Sequence, residues 1–215
     1  MGVYSRGGKE AVTVYNGVGV FLSPSREVIA FIPEHGCFSV RFVDMEIFFN
    51  DGPPPEDPII DLTSDAYFMG QAMRQALKAY EAEEVPIGAV VVREGRIIAR
   101  AANQVETLKD ATAHAEMLAI TQAENALGDW RLNDCDLYVT KEPCPMCAGA
   151  LVHARLRRVI FGCHDTRGGA AGGLINILQM PELNHRCEIT GGVLGNESAQ
   201  LLKAFFAERR GESQG

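Results

Sequence analysis

Beyond residue 60 the apolar and polar positions change period in a regular order. Thr63 or Ser64 stands as a helix N-cap with Asp65 in the first turn, and the periodic run behind it predicts a helix through Tyr80. Residues 86–92 and 96–102 read as two strands joined at the Glu94-Gly95 turn, a hairpin. A helix over 113–127 and a strand over 136–140 follow, then a helix over 144–154 with Pro145 in its first turn, where proline is tolerated. A strand over 158–162, a short helix over 174–180, a weak strand over 187–190 and a closing helix over 198–209 complete the series. Helices alternating with strands imply an α/β sheet covered on both faces, so residues 61–215 read as one domain.

Residues 1–60 follow a different pattern. Three short apolar stretches rich in β-branched and aromatic residues, 11–22, 28–33 and 38–49, lead into 51–58, where four of eight residues are proline and the chain reads as a stiff linker. Two readings stand for this segment: a small β appendage, or an upstream stretch absent from the protein because Met45 is the true start.

Composition narrows the class. The 215 residues are 47% apolar and 22% charged, ordinary for a globular chain, and the net charge of −8 argues against non-specific coating of nucleic acid. The longest uncharged run, 11–25, is 15 residues and holds Asn16, Ser23 and Pro24, too short and polar to span a bilayer. No basic n-region precedes an apolar stretch, and Glu10, Glu27 and Glu34 sit where transit peptides avoid acids, so the expected address is the cytoplasm. Six cysteines in a chain of this length without a signal sequence do not read as a disulfide framework.

The close pair Cys144 and Cys147 carries the chemistry, together with His114-Ala115-Glu116 upstream. A His-x-Glu arises by chance about 0.4 times in such a chain, a Pro-Cys-x-x-Cys on the order of 0.01 times. In this order they match the His-x-Glu…Pro-Cys-x-x-Cys signature of zinc-dependent deaminases. Two cysteines three apart at a helix start face one side, where the helix dipole favours thiolates. With His114 they make three protein ligands and leave a tetrahedral zinc one position for water. Two thiolates already cancel the metal charge, so its water needs a nearby base, and Glu116 is the candidate. The reaction this suits is hydrolytic attack on an amidine-like carbon with loss of ammonia. The competing readings are a redox pair, a structural zinc completed by Cys163 or His164, and Glu116 as a plain acid at a helix N-terminus.

Between about Tyr67 and Arg210 the chain also resembles the bacterial tRNA-specific adenosine deaminases. The resemblance rests on Glu84-Val-Pro-Ile-Gly-Ala-Val90, Asn103 upstream of Thr112-Ala-His-Ala-Glu116, and Glu142-Pro-Cys-Pro-Met-Cys-Ala-Gly-Ala150. It continues in Gly169-Ala-Ala-Gly172, Asn184-His-Arg, Glu188-Ile-Thr-Gly-Gly-Val193 and a C-terminal helix with Phe205, Phe206, Arg209 and Arg210. It implies a cytidine-deaminase-like three-layer α/β/α fold on a five-stranded mixed sheet, one Zn2+ per subunit and a homodimer. The implied activity is conversion of the wobble adenosine in the anticodon arm of tRNA, an arginine tRNA, to inosine. Carried over by residue, Asn103 hydrogen-bonds the flipped purine, and Asp165 and Asn184 hold flanking anticodon nucleotides; each also has an ordinary use in a turn or cap. Ala111 and Arg167 stand where the family often has proline and lysine, and the N-terminal 60 residues are the main departure.

Lys141, Arg155, Arg157, Arg158 and Arg167, against Glu142 and Asp165, make a local +3 in sequence, read either as phosphate contacts or as a solvated face. Two rival functions share the motif: deamination of a free base or nucleoside, and a non-catalytic zinc-stabilised RNA-binding scaffold.

Overall fold

The computed structural model describes residues 61–212 and the backbone of four short strands between residues 11 and 40. The chain divides into two compact units, Met1–Asp57 and Pro58–Gly215. In the first, β1 (Ala11–Val14), β2 (Val18–Leu22), β3 (Val28–Ile32) and β4 (Gly36–Val40) form an antiparallel meander in sequence order. The apolar stretch read over 11–22 is thus two strands. The proline-rich linker and Met45 lie outside the described residues.

The second unit is built on β5 (Gly88–Arg93), β6 (Arg96–Ala102), β7 (Cys135–Lys141), β8 (Arg158–Cys163) and β9 (Glu188–Gly191), in the order β6-β5-β7-β8-β9. The pairs β5–β6 and β5–β7 are antiparallel, β7–β8 and β8–β9 parallel, so the sheet is mixed. Because strand side chains alternate, each central strand feeds two cores. Ala89, Val91, Leu137, Val139, Val159 and Phe161 face α3 (Ala115–Leu127) and α4 (Pro145–His153). Val90, Val92, Tyr138 and Ile160 face α1 (Asp65–Glu81). The closing helix α5 (Gly195–Glu212) joins α1 on that side, with Tyr80 and Phe205 edge to face and the Ser198 hydroxyl 3.3 Å from the Met73 sulfur. The result is a three-layer α/β/α fold.

Local chemistry explains the element ends. Ser64 caps α1, its Oγ accepting the Tyr67 N–H at 3.2 Å. Asp65 accepts from Tyr138 Oη at 2.7 Å and Arg158 Nη2 at 2.9 Å, docking the start of α1 onto β7 and β8. Gly88 allows α1 to lie on the sheet: a Cβ there would fall inside the Ala72 carbonyl oxygen and the Ala76 nitrogen. Both are helix backbone and cannot swing away. Gly88→Ala is therefore expected to cost about 3 kcal/mol, read as a lower urea midpoint at unchanged slope.

Two differences from the sequence pattern concern loops near the site. A four-residue helix, α2 (Val105–Leu108), follows β6. The helix expected over 174–180 does not form. There the chain folds back, with Gly172 N–H on the Ile175 carbonyl, Ile177 N–H on the Ala170 carbonyl and a bridge between Ala171 and Asn176. Its apolar residues mimic a helical face, but the preceding loop, anchored to Glu142, supplies the hydrogen bonds a helix would have made.

Candidate metal centre and its carboxylates

The site lies where β7 ends and two helices begin. His114 is the N-cap of α3 and Cys144 the N-cap of α4, with Pro145 in the first turn of α4 and Cys147 one turn in. The His114 imidazole makes no cap bond to its own helix and turns instead to the two thiols. His114 Nδ1 lies 3.6 Å from Cys144 Sγ and 3.5 Å from Cys147 Sγ. A tetrahedral zinc with Zn–S about 2.3 Å and Zn–N about 2.0–2.1 Å sets sulfur and nitrogen roughly 3.5 Å apart. Each sulfur is thus spaced from the imidazole as a ligand of one such ion, and all three atoms lie within 4.8 Å of one another. Among the described residues no fourth histidine, cysteine or carboxylate joins them. His164 instead stacks edge-on against Phe161, with Nδ1 3.6 Å from Glu142 Oε2.

The electrostatics suit a metal. Cys144 is pulled down to about 3 by the hydrogen bond from Cys147, against the cost of burial and helped by His114. Cys147, the donor in that pair and buried, is pushed up. His114 is raised, first by its bond to Cys144. Two sulfurs thus share one proton in the place a divalent cation would take.

Glu116, in the first turn of α3, is only 4% exposed, and its Oε2 has no hydrogen-bond partner among the described residues. Burial drives its pKa above the usual carboxylate range, against the pull of its own backbone N–H and His114. A solvated acid at a helix N-terminus would be exposed. This one is a buried carboxyl with an unused oxygen, a group suited to moving a proton.

Asn103 reaches the same edge from the end of β6. It is buried, the Gln104 N–H donates to the Ala113 carbonyl at 3.0 Å, and Asn103 Nδ2 donates to Glu84 Oε2 at 3.1 Å. That bond turns the amide nitrogen toward Glu84 and leaves the carbonyl oxygen as the acceptor on the other side. Glu84, 1% exposed, also accepts the N–H groups of Glu106 and Thr107 at the start of α2. Despite burial these bonds hold its carboxyl below the usual range.

Asp165 is largely occupied by its own turn. It ion-pairs with Lys141 and accepts the Arg167 and Gly168 N–H groups at 2.9 and 3.1 Å, which outweigh partial burial and lower its pKa. Asn184 is exposed; its neighbour His185 bonds the Leu156 carbonyl at 2.7 Å, beyond the C-terminal end of α4. The basic cluster read from sequence disperses. Arg157 forks onto Asp136 at 2.8 and 2.9 Å and Arg158 pairs with Asp65, both at the strand ends opposite Cys144. Sequence reasoning assigned no role to Glu84 or Glu142, because a carboxylate beside a strand end looks solvated until the fold buries it.

A MafB19-like deaminase family model matches residues 63–210. The tRNA-specific adenosine deaminase of Bacillus subtilis (strain 168) is 52% identical over 149 residues, 69% of this chain and 92% of that protein. That of Agrobacterium fabrum is 46% identical over 144 residues, 67% of this chain and 95% of its own length. A solved structure from work on A-to-I editing by tRNA deaminases at the wobble position superposes with a TM-score of 0.61 at 45% identity, covering 63% of this chain and 98% of that one. Fold, ligand cluster and sequence agree: the chain belongs to the tRNA-specific adenosine deaminase family.

Proposed function

We propose that the protein hydrolyses adenosine to inosine at the wobble position of tRNA, with an arginine tRNA as substrate. The observation that carries this reading is a three-ligand cluster with a buried carboxylate oxygen that has no partner among the described residues, in a chain 52% identical over 149 residues to a tRNA-specific adenosine deaminase. His114, Cys144 and Cys147 would hold one Zn2+ per subunit. When bound, zinc supplies a water activated for attack on the purine C6. Glu116 takes up the proton released and returns it to the base, so that ammonia leaves. Asn103, its amide set by Glu84, holds the flipped purine through its carbonyl oxygen. Asp165 and Asn184 face flanking nucleotides of the anticodon arm. An anticodon loop offers splayed bases, so a pocket with few phosphate contacts suffices despite the net charge of −8.

The protein works in the cytoplasm as a homodimer. Among the described residues no helix is long and apolar enough to cross a membrane. Leu174, Ile175, Met180 and Leu183, exposed on one loop, supply apolar surface for a second copy to cover.

The test is an inosine assay on an arginine tRNA anticodon stem-loop, with free adenosine, cytidine and guanine alongside. Inosine confined to the wobble position is the expected result. Turnover of a free base or nucleoside without tRNA turnover would replace the reading with a small-molecule deaminase. Bound zinc with no turnover at all would leave a scaffold.

A further inference from the structure

The loop between β8 and β9 closes around one side chain that the chemistry above does not use. Glu142, immediately before Pro143 and Cys144, is 2% exposed. Its Oε1 accepts the Ala171 N–H at 3.0 Å and the Gly173 N–H at 2.7 Å, and its Oε2 accepts the Asp165 N–H at 2.9 Å. Gly169 and Gly173 lie so close that a Cβ on either would fall inside this carboxylate. Its own backbone is fixed by the Glu142 N–H to the Cys163 carbonyl at 2.9 Å, and the Ala170 N–H reaches the Pro143 carbonyl at 2.8 Å. A buried carboxylate is costly unless its oxygens are satisfied, and these are satisfied mainly by loop N–H groups. The converse also holds: three loop amides take this one carboxylate as their acceptor.

We propose that Glu142 is a positioning residue that registers the loop 165–173 to the start of the cysteine-bearing helix. The inference rests on the deaminase reading and adds how the nucleotide-facing wall is held. Because Glu142 and Cys144 are two residues apart, the loop and the metal ligands share one anchor. Displacing the carboxylate moves Asp165 and its turn relative to the site without touching His114, Cys144 or Cys147. Glu142 acts through the loop and contacts no reacting atom.

The experiment uses the full-length, zinc-loaded protein and compares wild type with Glu142→Gln and Gly173→Ala. The first turns an amide NH2 toward loop N–H groups; the second pushes the loop off the carboxylate while leaving its charge alone. Amide hydrogen exchange, zinc content and steady-state kinetics on the stem-loop are measured. Both variants should keep full zinc and exchange faster across 165–173, with α4 unchanged. KM should rise about 10- to 100-fold, as expected for losing a hydrogen bond to a charged group, while kcat changes less than about threefold. The two variants make the test robust, because a general folding defect would speed exchange throughout the molecule. Unchanged exchange in the loop, or unchanged KM, overturns the proposal. Loss of zinc with a fall in kcat also overturns it, by placing the effect on the cysteine helix. If wild type does not deaminate the stem-loop, the deaminase reading fails, while the exchange data still decide whether Glu142 holds the loop.

Discussion

Replacing Glu116 by glutamine should lower kcat about 10³-fold and leave the fold and the metal content as they were. The side chain is 4% exposed, so the isosteric amide fills the same space in the same packing. What disappears is the capacity to accept a proton and hand it back. The carboxyl is already shifted by burial toward its neutral form, and an amide resembles that form closely. Its Oε2 has no hydrogen-bond partner among the described residues that the substitution could remove, so stability should change by less than about 1 kcal/mol. Single-turnover inosine formation, metal analysis and a thermal melt on the same preparation separate the effects. A drop in rate below tenfold would put proton transfer on another group. A loss of metal would make Glu116 a structural neighbour of the ligands rather than the proton carrier.

The parts of this site that were legible before the structure are those tied to short-range spacing. His114 and Glu116 share the first turn of α3, and Cys144 and Cys147 the first turn of α4, so each pair's geometry follows from helix periodicity and capping. The strands read over 86–92 and 136–140 stand as β5 and β7, because a short, mostly apolar run suits a central strand buried on both faces. The parts that were not legible depend on partners far along the chain. Glu84 meets residues 19 and 23 positions away, and Glu142 meets amides 23 to 31 positions away. Neither distance leaves a periodic trace. The basic run around 155–158 was open to two readings, phosphate contacts or a solvated face. Arg157 and Arg158 lie at the start of β8, whose far end faces the site, and acids brought by α1 and β7 pair with them. The helix expected over 174–180 failed in the same way, since its apolar spacing was real and its hydrogen bonds went to a loop.

Stripping the metal with a chelator should abolish deamination and lower the melting temperature by about 10 °C, with both restored by zinc and not by magnesium. His114 and Cys144 begin two different helices, so an ion bound between them ties the start of α3 to the start of α4. A ligand held at about a thousand times its dissociation constant adds about 4 kcal/mol to the folded state, and each of these is worth about 2–4 °C in a chain of this size. Without the metal the Cys147 thiol donates to Cys144, and the buried faces of α3 and α4 still pack on the sheet. The apo protein should therefore remain folded, unlike a small zinc finger. The sign with pH follows from the same pair. Metal binding displaces the shared proton, so affinity weakens as pH falls and the holo and apo melting temperatures converge in acid. Cys147→Ala should reproduce the chelated state at neutral pH, because the remaining His114 and Cys144 cannot hold the ion alone. Equal melting temperatures for metal-loaded and metal-free protein at neutral pH would show that the three ligand atoms, though correctly spaced, are not where the metal is held.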